Sequence, residues 1–172
     1  MYGISDWRGK DEIKNFVFNN FPAGSVILDV GAGGGTYVAL LNEGKWYIMD
    51  AVEIYKPAAD QAKSFYRNVF NQDIKDFTAW KDIKYDLVIF GDVIEHMTVE
   101  DAMRVLERAK CFAKHIIISV PFLRPQDAKD TETPDNLAES HLQPDLTKDI
   151  FNKRYPGFLT LTCDENNGVF FI

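Results

Sequence analysis

Val26-Ile27-Leu28-Asp29-Val30-Gly31-Ala32-Gly33-Gly34-Gly35-Thr36-Tyr37 decides the fold. Ser25 to Val30 is a short apolar run ending in glycines, the pattern of a central parallel strand covered on both faces. Downstream the pattern alternates. Thr36 to Asn42 reads as a short helix, Trp46 to Glu53 as a second strand and Pro57 to Arg67 as a helix opened by proline. Asn68 to Gln72 is a third strand, Tyr85 to Phe90 a fourth and His115 to Val120 a fifth. Thr98-Val99-Glu100-Asp101 resembles a capping box, and Ala102, Val105, Leu106 and Ala109 share one face of the helix it begins. Upstream, Ile13, Phe16, Val17 and Phe21 follow Ser5 and Asp6 near helical spacing, predicting an amphipathic helix closed by Pro22-Ala23-Gly24. Strands alternating with helices imply an α/β parallel sheet with helices on both faces, binding ligands at its carboxyl edge. After a helix near Asp145 to Tyr155, the runs Phe158 to Cys163 and Val169 to Ile172 flank Asp164-Glu165-Asn166-Asn167-Gly168, the signal of an antiparallel C-terminal hairpin.

The glycine loop lets a ligand approach the backbone closely. A phosphate loop needs Lys followed by Ser or Thr after its last glycine, and Thr36-Tyr37 stands there instead, which argues against a nucleoside triphosphatase. The dinucleotide fingerprint wants glycine at its sixth position, which here is Thr36. More informative are the polar residues at successive strand ends. Glu53 ends strand two, where a carboxylate accepts from both hydroxyls of a ribose. Asp73 ends strand three, and Gly91-Asp92-Val93-Ile94-Glu95-His96 follows strand four. A nucleoside fits across these ends.

These residues resemble the class I methyltransferases that use S-adenosylmethionine (SAM), over nearly the whole chain. Val26 to Tyr37 is similar to their first motif, which implies that Asp29 and the backbone of Gly31, Ala32, Gly33 and Gly35 hold the methionine portion of the cofactor. Ala51-Val52-Glu53-Ile54 resembles their second strand end, with Glu53 as ribose ligand and Ile54 beside it. Asn71-Gln72-Asp73-Ile74 resembles the adenine site, where Asp73 accepts from the exocyclic amine and Ile74 packs on the ring. Tyr85 to Met97 is similar to the fourth strand in a variant with a Glu-His pair, found in many small-molecule methyltransferases, with Asp92 joining the cofactor set. The resemblance implies a Rossmann-like three-layer sandwich over residues 1–172, with a mostly parallel seven-stranded sheet and one reversed strand, SAM as cofactor and S-adenosylhomocysteine (SAH) as product.

Gly91-Asp92-Val93-Ile94 departs from the Asn/Asp-Pro-Pro-aromatic pattern of enzymes that methylate exocyclic amines. Neither Cys111 nor Cys163 is placed as a cytosine-C5 nucleophile. On the acceptor side two readings stand for Glu95 and His96: they cap the following helix, or they face the acceptor with His96 as general base. Asp29 either binds or braces the loop. His141 is either a surface histidine or a third acceptor-side residue. A related quinone-type subset holds a divalent cation at such positions, but Asp92 is one carbon shorter than glutamate, and the metal-free reading is the expectation.

Of 172 residues, 46% are hydrophobic and 26% charged, a globular composition for one domain. The net charge is −7, and residues 126–149 carry seven acids against two bases. That segment is either a solvated loop or a lid over the acceptor pocket; Tyr2, Trp7 and Trp80 are further candidates to cover it. The charge opposes nucleic-acid partners, and no apolar stretch approaches the roughly 20 residues that span a bilayer. Two distant cysteines and no export pattern fit a cytoplasmic protein. The expectation is a SAM-dependent methyltransferase acting on an O or N nucleophile of a small molecule, with a sugar or lipid-linked intermediate as candidate acceptors and a homodimer left open. The alternatives are a non-catalytic SAM- or nucleotide-binding module and a nicotinamide-dependent oxidoreductase.

Overall fold

The computed structural model describes residues 9–79, 82–131 and 134–172, so Tyr2, Ser5, Asp6, Trp7 and Trp80 lie outside the described residues. The elements run α1 (Lys10–Asn20), β1 (Val26–Val30), α2 (Thr36–Leu41), β2 (Ile48–Val52), α3 (Lys56–Ala62), β3 (Asn68–Phe70), β4 (Tyr85–Gly91), α4 (Val99–Phe112), β5 (Ala113–Pro121), α5 (Lys148–Arg154), β6 (Leu159–Cys163) and β7 (Asn167–Phe171). The sheet order is β3-β2-β1-β4-β5-β7-β6. Neighbours from β3 to β5 are parallel, and β7 runs antiparallel to both β5 and β6. This is the class I methyltransferase sheet, with the terminal hairpin supplying its reversed strand.

Alternation along the central strands divides their side chains between two cores. Ile27, Ala51, Leu87, Ile89 and Ile117 pack with Ile13 and Val17 of α1 and Val38 and Leu41 of α2. Leu28, Val30, Val88, Phe90 and Ile118 pack with Ala102, Val105, Leu106 and Ala109 of α4 and Phe151 of α5. Both faces of β1 and β4 are therefore dry, as their unbroken apolar runs require. Thr98 caps α4 by accepting from the Asp101 N–H at 3.1 Å.

Two elements stop two or more residues earlier than the periodicity predicts. Helix α3 ends at Ala62, and the following turn sends Tyr66 inward to Asp29 and Arg67 to Asp50. Asp50 is fully buried in β2; Arg67, Asn68 and Tyr85 all donate to it, which offsets the cost of its desolvation. Strand β3 ends at Phe70 because the Asn71 side chain takes over, its Nδ2 donating to the carbonyls of Glu53 (2.8 Å) and Ile54 (3.0 Å). The final turn is held by Asp164, whose Oδ1 accepts from the N–H groups of Asn166 and Asn167.

Candidate active site

The carboxyl ends of the parallel strands open on a cavity of about 520 Å³, within the range for small-molecule and cofactor sites. One end is built by β1, β2 and the residues after β3. Gly31 has φ +71°, and a Cβ there would stand 2.5 Å from Val93 Cγ2, so glycine is needed for both conformation and space. The Gly31 N–H donates to the Val52 carbonyl at 2.8 Å, fixing the loop to β2. Glu53 is buried and spans two backbone donors: Oε2 accepts from Gly33 N–H and Oε1 from Tyr55 N–H, both at 2.8 Å. Burial pushes its pKa up, opposed by these two bonds. Each oxygen keeps a further lone pair for a ligand hydroxyl.

Gly31, Ala32, Gly33, Glu53, Ile54, Asp73 and Ile74 all line this end of the cavity. Ile54 is half exposed and Ile74 buried, giving apolar surface beside the Asp73 carboxylate. Asp73 accepts from Lys75 N–H at 2.9 Å and pairs with Lys75 Nζ at 3.2 Å. Gly35, with φ +87°, is the turn into α2 and lies behind the lining. Asp29 also lies behind it, fully buried under the loop. The Tyr66 hydroxyl donates to its Oδ2 at 2.5 Å, while Oδ1 has no partner among the described residues. Burial pushes the Asp29 pKa up to about 7, against the lowering effect of the Tyr66 hydroxyl.

The other end is assembled across a long stretch of chain. After β4, Asp92 adopts φ +57°, a strained conformation for a residue with a side chain, and the following turn places Ile94 to His96 against residues 139–143. The Glu95 carbonyl accepts from the N–H groups of Leu142 (2.8 Å) and Gln143 (3.1 Å), and buried Gln143 donates to the carbonyls of Ile94 and Met97. This brings the His96 and His141 rings to 4.7 Å, edge to face. His96 Nδ1 lies 3.3 Å from the Ser140 carbonyl and His141 Nδ1 2.6 Å from the Arg124 carbonyl. Burial lowers both histidine pKa values, that of His141 to about 4, so both rings are neutral near pH 7. Glu95 is 1% exposed, neither carboxylate oxygen has a hydrogen-bond partner among the described residues, and burial with Asp92 nearby raises its pKa strongly.

Capping is therefore not the role of Glu95 or His96, since Thr98 caps α4. Nor is the acidic segment simply a solvated loop. The Gln126 carbonyl accepts from His141 N–H, Gln126 Nε2 donates to Glu139, and residues 136–139 form part of the cavity wall. The Tyr55 hydroxyl reaches Asp135 at 3.0 Å, joining this wall to the far side of the cavity.

The profile of the family described as methionine biosynthesis protein MetW matches residues 11–124. The chain belongs to the MetW family. The fold agrees with that of solved methyltransferase structures. A SAM-dependent methyltransferase from Clostridium acetobutylicum aligns with TM-score 0.70 at 13% identity, over 98% of this chain and 92% of that one. Magnesium protoporphyrin IX methyltransferase from Synechocystis with bound SAM gives 0.65 at 16% identity, over 95% and 77%. The N-terminal domain of EvdMO1, with SAH and D-fucose, gives 0.66 at 13%, over 97% and 82%. No curated protein matches the sequence. Within the MetW match lie the glycine loop, Glu53, Asp73, Glu95 and His96; His141 and the acidic wall lie beyond it.

Several groups at the site carry no local sequence signal. Tyr66 reaches Asp29 from the turn after α3. Lys10 is 1% exposed, with Nζ 3.8 Å from Asp92 Oδ2. Arg124 lines the cavity beside His141, and Gln143 holds the turn that carries Glu95. Among the described residues no helix is long and apolar enough to cross a membrane.

Proposed function

We propose that residues 1–172 form one SAM-dependent methyltransferase domain that transfers a methyl group to an O or N nucleophile of a small molecule, with a sugar or lipid-linked intermediate as candidate acceptors. The observation that carries this reading is the convergence, on one cavity, of a glycine loop joined to a buried carboxylate, Glu53, with an opposite wall of Glu95, His96 and His141. The donor set suits SAM: Glu53 has lone pairs for the ribose hydroxyls, Asp73 an acceptor for the adenine amine, and Ile54 and Ile74 flat apolar surface for the ring. Asp29 and the Gly31–Gly35 backbone would support the methionine portion, and Asp92 would complete the cofactor set.

When bound, SAM supplies a methyl group on a sulfonium, already activated for in-line transfer. The protein's part is then alignment and exclusion of water. The wall of residues 136–139, joined to Tyr55, shields the reacting end. His96, neutral at pH 7, would take the acceptor's proton at Nε2, while His141 and Glu95 orient the acceptor. Acidic lining at Glu53, Asp73 and Glu139 favours neutral or cationic acceptors over nucleic acid. The free cysteines Cys111 and Cys163 fit a cytoplasmic setting.

Calorimetry with SAM, SAH and NAD, followed by an acceptor screen with labelled SAM read by mass spectrometry, tests the reading. Binding of both SAM and SAH with labelled product is expected. Binding of NAD with neither SAM species would overturn it in favour of an oxidoreductase.

A further inference from the structure

Glu95, His96 and His141 each present a donor atom within 4.8 Å of the other two, at the acceptor end of the cavity. We propose that these three side chains bind a borderline divalent cation of the zinc class, in a two-histidine, one-carboxylate site. Three observations carry it independently of methyl transfer.

The first is Glu95. A carboxylate that is 1% exposed with neither oxygen hydrogen-bonded among the described residues is costly to leave alone, and a cation supplies the missing partner. The second is the state of the imidazoles. A backbone carbonyl only accepts, so the contacts of His96 Nδ1 with Ser140 and of His141 Nδ1 with Arg124 put the proton on Nδ1 and leave the lone pair on Nε2. Imidazole ligands in metal sites are commonly held this way, one nitrogen donating to a carbonyl while the other faces the metal. The third is spacing. His96 Nε2 lies 4.0 Å from Glu95 Oε1, and metal–ligand bonds of about 2.1 Å hold neighbouring donors roughly 3.0 to 3.5 Å apart, so an inward movement of about 1 Å closes the site.

The ligand set differs from one built on Asp92, Glu95 and His96. Asp92 is engaged elsewhere: Ser119 Oγ donates to its Oδ1 at 3.2 Å, and Lys10 Nζ is 3.8 Å from its Oδ2. His141, from the far wall, takes that place. All three ligands line the cavity, so the remaining coordination positions face it, open to an oxygen of the acceptor. With the site loaded, His96 would be a ligand and the cation would polarise an acceptor oxygen, in place of the general-base role that His96 has in the metal-free reading.

The test is titration of the chelator-treated protein with Zn2+ by calorimetry and with Co2+ by absorption and proton NMR. One ion per chain is expected, with shifted Nδ1–H signals from two imidazoles in the Co2+ form. His141→Asn, on the least buried ligand, should weaken Zn2+ binding at least about 30-fold and remove one of those signals, whereas Asp92→Asn should change affinity less than about threefold. Stoichiometric binding lost in Asp92→Asn but kept in His141→Asn would overturn the assignment, as would failure of the wild-type protein to bind either ion. SAM affinity, measured on the same samples, separates this from methyl transfer. Metal binding without SAM binding breaks the methyltransferase reading alone, and SAM binding without metal breaks the cation site alone.

Discussion

The two ends of the cavity are built by different means. At the cofactor end Gly31 to Gly33, Glu53, Ile54, Asp73 and Ile74 all lie within four residues of a strand terminus, and Glu53 is already satisfied by Gly33 and Tyr55. At the acceptor end, Glu95 and His141 are 46 positions apart, joined by backbone bonds through Leu142 and Gln143, and the Glu95 carboxylate has no hydrogen-bond partner among the described residues. At the first end the lining carboxylates, Glu53 and Asp73, already have protein partners without a ligand. The second is held in readiness by packing, with an unmet demand for charge or hydrogen bonds. Such a division allows one end to keep a common cofactor while the other changes its acceptor.

The largest effect expected from this division is on turnover. His96→Asn should lower the rate on the order of 100-fold, the usual cost of losing an acid-base group, and His141→Asn, which removes an orienting contact, by less, while the SAM dissociation constant by calorimetry moves less than about twofold in either. An equal loss in SAM affinity would erase the distinction between the ends. Glu53→Ala probes the other side. It should weaken SAM binding by roughly 1.5 to 3 kcal/mol with the fold retained by circular dichroism, and an unchanged constant would remove Glu53 from the site.

Asp29 yields a pH prediction. Its folded pKa, about 7, lies above the ordinary carboxylate value, so between about pH 4 and 7 the folded state holds a proton that the unfolded state has released. The stability associated with this group is fully present below about pH 4 and lost as pH rises to 7. Asp29→Asn, which still accepts from Tyr66, should therefore gain in urea midpoint relative to wild type across that window and hold a constant advantage above it. A constant offset from pH 4 to 8 would show that Asp29 does not titrate with folding. The smallest effect belongs to Tyr55→Phe, expected to leave stability within about 1 kcal/mol and to speed cofactor release a few-fold in stopped-flow displacement.

The same division explains what the sequence discloses. Val26 to Val30, the glycines and the strand-end acids are legible because a parallel strand must be apolar and its ligand contacts follow it at once in the chain. The seven-stranded order follows from the resemblance together with the terminal hairpin. Helix α3 is read too long because Lys63 to Arg67 continues a polar-apolar pattern, and only the tertiary pull of Asp29 and Asp50 on Tyr66 and Arg67 turns the chain there. Lys10, Gln143 and Arg124 carry no local pattern, since each acts on a partner 17 or more positions away. His141 is visible as a histidine after an acidic run, yet its approach to His96 depends on the bonds made by residues 126–143.

The contact between Tyr55 and Asp135 sets an open fraction as well as a boundary. A single exposed hydroxyl–carboxylate bond is worth about 1 kcal/mol, so by itself it stands open on the order of one-sixth of the time. A barrier that breaks so often cannot hold a ligand for long, and the residence time of the cofactor must come from contacts deeper in the cavity. What the latch governs is access: when it is open the mouth is clear without the sheet or the helices having to part.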